Sequence, residues 1–192
     1  METQYFVNLA IGPVSKNMIQ AFFFDMQHIS KGGDRPKDVP KYSAQKVVVL
    51  GAGMMGAGIA YVSALAGIEV VLIDRDQAAA DKGKSYAEGI LDKGIQRRKV
   101  TPEKKAEVLA RITATPDLSA LKGCDLIVEA VFEDPGVKAE MTQKVEAIIG
   151  GDCIFATNTS TLPITDLARA SARPEQFIGI HFFSPVDKMN LV

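Results

Sequence analysis

Three glycines, Gly51, Gly53 and Gly56, stand in G-x-G-x-x-G spacing inside VVVLGAGMMGAGIA, between a β-branched run and a helical one. Each has its own mechanical use. The first permits a tight turn, the second lets backbone approach a pyrophosphate, and the third lets helix pack closely on strand. Met54 and Met55 occupy the two places between the second and third glycines, and an anion held by such a turn meets free N–H groups at a helix N-terminus. An ordinary glycine-rich turn is the competing reading. The next strand-like run argues against it, because EVVLID ends on Asp74, eighteen residues after Gly56. An acid about 20 residues past the motif binds an adenosine ribose, and it would repel a 2′-phosphate, which favours NAD over NADP. Arg75 follows at once; a solvated loop charge or a guanidinium over the adenine is favoured for it above a phosphate partner.

A second group of reactive side chains falls just after later strand-like runs. VEAVFEDPGVK carries Glu133 and Lys138, ATNTST carries Asn158, Thr159 and Ser160, and GIHFFSP carries His181 and Ser184. Oxidation of an alcohol needs a base for the hydroxyl proton while hydride leaves carbon, and an unperturbed imidazole, pKa about 6.5, suits that task. The chain has only one other histidine, His28. Two plainer readings stand beside this one: a satisfied buried histidine at 181, and a helix cap and turn at NTST.

These residues need elements to hold them. From Lys46 the chain alternates KVVVLG, a helix over 55–66, EVVLID, a helix over 77–98, the helical TPEKKAEVLARI with Pro102 at its first position, DLIVEAVF, the helical PGVKAEMTQKVEAII, CIFATNTS, a short helix in TDLARA, and FIGIHFF. Continuous apolar strands alternating with helices predict a parallel sheet covered on both faces, a Rossmann-type doubly wound α/β domain. Ligands of such sheets lie across the carboxyl ends of the strands. Residues 1–45 differ. VSKNMIQAFFFDMQHI places Met18, Ile19, Phe22, Phe23, Met26 and Ile29 on one helical face, and SKGGDRPKDVPKYSAQ has the glycines, prolines and charges of a linker. A boundary is expected at about residue 45.

Composition excludes several classes. The 192 residues, 47% hydrophobic, can build a core, and 22 basic against 23 acidic residues leave a net charge of −1, no field for gripping nucleic acid. No apolar run reaches the roughly 18 residues of a membrane span, and METQYFVNLA lacks the basic start of a secretory signal; a cytoplasmic protein is expected. Cys124 and Cys153 lack CxxC spacing or a nearby histidine, so reduced thiols at strand starts are expected, with neither a zinc site nor a disulfide framework.

GAGMMGAGIA, VEAVFED, TNTSTLPI and GIHFFSPVDKMNLV, in that order, resemble the NAD-binding domain of the L-3-hydroxyacyl-CoA dehydrogenases of fatty-acid β-oxidation, from Lys46 to Val192. ETQYFVNLAIGPVSKNMIQAFFFDMQHI is similar to the segment that follows the enoyl-CoA hydratase domain in multifunctional α-subunits, so an internal piece of such a subunit is expected. The resemblance implies oxidation of (3S)-3-hydroxyacyl-CoA to 3-ketoacyl-CoA with NAD⁺. It makes His181 the base and Ser160 the hydroxyl contacting substrate and nicotinamide; Gly51 to Gly56, with Met54 and Met55, hold the pyrophosphate and Asp74 the ribose. Val131, Phe132, Glu133, Lys138 and Asn158 become further cofactor contacts, as does Ser184, which stands where many relatives have asparagine. It further implies a glutamate partner for His181 at position 193, one past Val192, a helical second domain closing over the acyl-CoA, and a thiolase subunit as partner. On that basis the chain is expected to bind NAD(H) and to turn over slowly or not at all. Two alternatives remain at this point: a stand-alone 3-hydroxybutyryl-CoA dehydrogenase, and a nucleotide-binding or assembly module that docks through Phe22–Phe24.

Overall fold

A computed structural model describes residues 2–192. The chain forms two compact units, one ending at Tyr42 and one running Ser43–Val192. In the first, α1 (Glu2–Ile11) is followed by α2 (Pro13–Ile19), a π-helical stretch Gln20–Asp25 and α3 (Met26–Ser30). The helix expected over Val14–Ile29 is therefore present, but its aromatic triplet sits in a π segment. α1 covers residues to which periodicity assigned no element. None of these helices buries a residue within the unit, and Phe22 is 74% exposed.

The second unit is a six-stranded sheet in the order β3-β2-β1-β4-β5-β6, every pair parallel. Its strands are β1 (Lys46–Leu50), β2 (Glu69–Ile73), β3 (Ile112–Thr115), β4 (Leu126–Glu129), β5 (Ile154–Thr157) and β6 (Phe177–Gly179). Between them run α4 (Met54–Leu65), α5 (Gln77–Gln96), α6 (Pro102–Ala110), α7 (Pro135–Glu146) and α8 (Ile164–Ala168). The strand interiors are mostly apolar because both faces are covered, and the period of two assigns each side chain its face. Val47, Val49, Val70 and Leu72 enter one core with Ile59, Leu91 and Val108. Val48, Leu50, Val71 and Ile73 enter the other with Ile127, Val145 and Phe155. The strand order is that of the dinucleotide-binding doubly wound sheet, with its topological switch between β1 and β4.

Helix starts follow local chemistry. Asp76, Thr101 and Asp134 each accept a backbone N–H two or three residues into α5, α6 and α7, and Pro102 and Pro135 stand where a missing N–H costs nothing.

Several boundaries depart from expectation, among them those of CIFATNTS, where β5 covers only Ile154–Thr157, and of PGVKAEMTQKVEAII, where α7 ends at Glu146. TPEKKAEVLARI is not helical throughout: α6 ends at Ala110, the Arg111 carbonyl accepts the Val70 N–H at 2.8 Å, and Ile112 opens β3. β6 stops at Gly179 instead of continuing through Phe183, because β5, its only neighbour, ends at Thr157. The Ile180 N–H donates the last ladder bond, 3.0 Å to the Thr157 carbonyl, and His181 begins a loop. β4 likewise ends at Glu129, before Ala130 to Phe132. Among the described residues no helix is long and apolar enough to cross a membrane, and no three His, Cys, Asp or Glu side chains gather to hold a metal.

Candidate active site

The carboxyl ends of β1, β2, β4, β5 and β6 converge on one edge of the sheet, and the chain turns over that edge are bonded to one another. Gly51 leaves β1 with φ +94°, a conformation L side chains rarely adopt, and a Cβ there would meet the Ala130 carbonyl oxygen at 2.6 Å. At Gly56 a Cβ would lie 1.7 Å from the Gly51 carbonyl oxygen, so α4 approaches β1 only because this residue is glycine. Gly53 differs: its Cβ position faces open space, with nothing within 4 Å. It caps α4 without any side-chain hydrogen bond.

Asp74, half-buried at the end of β2, accepts the Ala52 N–H at 2.6 Å through Oδ2 and the Arg75 N–H at 2.7 Å through Oδ1. It thereby ties the second strand to the glycine turn. Arg75 points to Asp76, with Nε 3.2 Å from Oδ2 and its side chain 86% exposed. The turn, Asp74, Arg75, Lys82 and Tyr86 line an open groove of about 980 Å³, the size expected of a cofactor-binding cleft. The open Gly53 backbone, the uncapped helix end and the acid at the edge fit a dinucleotide: pyrophosphate at the turn, ribose at Asp74. Met54 is exposed and Met55 packs on the core. Ser184 reaches this turn from the β6 side, its Oγ 4.0 Å from Met54 Sδ.

The loop after β4 is held by charge. Lys138, on α7, places Nζ 2.8 Å from Glu129 Oε1 and 3.2 Å from Glu133 Oε2. The resemblance makes Lys138 a cofactor contact. At 2% exposure, with its ammonium between two carboxylates, what it contributes here is the position of the Glu133 turn. Glu129, absent from the sequence-based set, is 1% exposed and also accepts the Val131 N–H and the Thr157 hydroxyl. A carboxylate in an otherwise continuous apolar strand was the available signal, since such a charge demands a partner. Phe132 is 79% exposed, and Val131 packs on the core.

Glu133 in turn organises the β5 loop. Its Oε1 accepts the Thr159 hydroxyl, the Ser160 N–H at 2.9 Å and the Thr161 N–H at 3.2 Å. Burial alone would raise its pKa; the Thr159 hydroxyl, these two amides and the Lys138 ammonium outweigh that and lower it to about 2. Asn158 is buried, and its Oδ1 accepts the Phe182 N–H at 2.8 Å, so its oxygen fixes the histidine loop.

His181 Nδ1 lies 3.2 Å from the Thr159 carbonyl oxygen, and its ring meets Phe183 edge-on at 5.0 Å. A proton on Nδ1 donated to that carbonyl leaves Nε2 with a free lone pair, the form a general base requires. Ser160 and His181 line one pocket of about 350 Å³ together with Thr159, Leu162, Ile164 and Gly179. Every residue named for the site thus lies on this edge or in the turns above it, apart from the buried Lys138 that supports them.

Comparison with known proteins follows the same outline. Residues 46–192 match the family model described as 3-hydroxyacyl-CoA dehydrogenase, NAD binding domain. The fatty acid oxidation complex subunit alpha of Shewanella frigidimarina is 41% identical over 193 residues, 100% of this chain and 27% of that protein. Its counterpart from Idiomarina loihiensis is 51% identical over 144 residues, covering 75% of this chain and 20% of that one; the chain therefore spans about a quarter of the length of these curated relatives. Among solved structures, the (S)-3-hydroxybutyryl-CoA dehydrogenase PaaH1 of Ralstonia eutropha superposes with a TM-score of 0.74 at 39% identity, over 77% of this chain and 52% of that one. With residues 46–192, three-quarters of its length, matched, the chain belongs to the NAD-binding domain family of the 3-hydroxyacyl-CoA dehydrogenases.

Proposed function

We propose that this domain is the dinucleotide-binding half of an enzyme that oxidises (3S)-3-hydroxyacyl-CoA to 3-ketoacyl-CoA. The carrying observation is the shared pocket of Ser160 and His181, set on the same sheet edge as the glycine turn. Bound NAD⁺ supplies the hydride acceptor. The chain's own groups do the rest: His181 takes the hydroxyl proton at Nε2 while the Thr159 carbonyl holds Nδ1–H, and the Ser160 hydroxyl orients the reacting oxygen. Gly51 to Gly56 carry the pyrophosphate, Asp74 the ribose, and Val131, Phe132 and Ser184 the nicotinamide side.

The reading extends to the whole protein. Residues 1–45 are the segment joining an upstream hydratase region, a reading supported by the match of this whole chain, residues 1–45 included, to 27% of the Shewanella subunit. A cytoplasmic location and a thiolase subunit as partner complete it. The similarity to a 3-hydroxybutyryl-CoA dehydrogenase favours a second form of the same proposal, in which the substrate is a short acyl chain.

The test is acetoacetyl-CoA-dependent oxidation of NADH followed by absorbance, on the full-length protein and on this chain, with NADPH and longer 3-ketoacyl-CoA substrates in parallel. Turnover with NADH that is abolished by His181→Ala supports the proposal. Turnover unaffected by that substitution, or no measurable NADH affinity, overturns it.

A further inference from the structure

We propose that Cys124 and Cys153 form a reversible redox pair, a site at which a peroxide converts two thiols to one disulfide. They are the chain's two cysteines, 29 residues apart in sequence, and their sulfurs lie 3.2 Å apart. The sheet brings them together. β4 and β5 pair from Leu126 and Ile154 onward, and the Ile154 N–H donates to the Asp125 carbonyl at 3.0 Å, so the cysteines sit on neighbouring chains at the foot of this ladder. Neither cysteine lies within a strand, so the alternation of faces that would part a one-residue diagonal does not apply, and both side chains enter the same core; a small movement closes their sulfurs to the roughly 2 Å of a disulfide.

Both thiols are free and buried, Cys124 8% and Cys153 3% exposed, in the core that contains Leu121 and Phe155. Their cover is thin. Lys122 and Gly123 precede one cysteine and Gly150 to Asp152 the other, all exposed, and the Cβ positions of Gly123, Gly150 and Gly151 face open space. A small oxidant therefore has a short path to Cys124. That thiol is also the better nucleophile: the hydrogen bond from Cys153 lowers its pKa against the opposing effect of burial, helped by the Lys46 ammonium, while Cys153 is held up by the same bond.

The chemistry balances with one peroxide. The Cys124 thiolate attacks a peroxide oxygen, the O–O bond breaks, and hydroxide leaves and is protonated to water, giving a sulfenic acid. The Cys153 sulfur then attacks the Cys124 sulfur, the S–O bond breaks and a second water departs with the Cys153 proton. Two thiols are oxidised and one peroxide is reduced. The pair lies at the amino ends of β4 and β5, opposite the edge that carries Glu133, Ser160 and His181, so it needs nothing from the hydride site. Its effect is to staple the chain segments entering the neighbouring strands β4 and β5.

The experiment treats the reduced chain with a few equivalents of hydrogen peroxide and measures thiols in denaturant, intact mass without reductant, and thermal unfolding. Expected are a fall from two titratable thiols to none, a mass loss of about 2 Da reversed by dithiothreitol, and a melting temperature higher by roughly 5–10 °C. Cys153→Ser should stop at a sulfenic acid on Cys124 that dimedone traps, without the rise in melting temperature. Two thiols persisting through the treatment, sulfinic acids forming without the mass loss, or disulfides linking separate chains would each overturn the proposal.

Discussion

Lys138 Nζ lies 2.8 Å from Glu129 Oε1, with both side chains no more than 2% exposed. The pair spans α7 and β4, and through Glu129 to the Thr157 hydroxyl and Glu133 to Thr159 it joins the loops after β4 and β5. Buried charge is costly unless fully partnered. Here the partners are also what spaces the turns of the cofactor edge, so stability and site geometry depend on the same atoms.

Removing one partner should therefore be severe. Lys138→Met leaves Glu129 buried without its cation and should cost about 3–5 kcal/mol in urea unfolding. Lys138→Met combined with Glu129→Gln should cost less than the sum of the two single changes. A single variant within about 1 kcal/mol of the parent would show that the network does not bear on stability.

Glu133 gives a pH dependence of definite sign. Its carboxyl is held at about 2, below an ordinary glutamate at about 4.3, so the folded state binds the proton less readily than the unfolded one. The stability it contributes is fully present above the ordinary value and is lost as pH falls towards 2. Its side chain is 37% exposed, so solvent screens part of the effect. The gap in urea midpoint between the parent and Glu133→Gln should be constant near neutral pH and close progressively below about pH 4.5. A gap that does not change with acidification would refute this.

What could be read from the sequence is what local chemistry dictates. β1 and β2 are legible as continuous β-branched apolar runs, and the glycine turn and Asp74 announce themselves by spacing. The Glu129–Lys138 pair was not legible, because nothing in LIVEAV says which cation, nine residues on and in another element, returns to it. β3 was hidden by a helical pattern that runs on into Ile112, and only pairing with β2 ends it. The end of β6 depends on where β5 stops. The contact of Cys124 with Cys153 is made just before β4 and β5 begin, in chain that the ladder brings together but does not itself pair, and spacing alone does not contain it.

The glycines of the turn should separate folding from binding. Gly56→Ala would drive a methyl into the Gly51 carbonyl oxygen at 1.7 Å, so it should lower the melting temperature and abolish NADH binding together. Gly53→Ala meets no atom within 4 Å and should leave the melting temperature nearly unchanged. Its methyl would stand where the backbone approaches the pyrophosphate, so NADH affinity should fall. Calorimetric titration beside thermal unfolding distinguishes the two, and equal affinity in Gly53→Ala and parent would remove the pyrophosphate from this turn.

Asp74 should govern which dinucleotide is accepted. Its carboxylate already takes the Ala52 and Arg75 amides, which fixes its orientation and leaves further lone pairs for the ribose hydroxyls. Asp74→Ala removes charge-assisted bonds worth about 1.5–3 kcal/mol, so NADH should bind roughly 10- to 100-fold more weakly. It also removes the repulsion against a 2′-phosphate and leaves Arg75 and Lys82 in the groove, so NADPH affinity should hold or rise. Parallel fluorescence titrations with both cofactors read the ratio directly; a parallel loss of both would mean that Asp74 only shapes the turn through Ala52, and the preference for NAD would have to come from elsewhere in the groove.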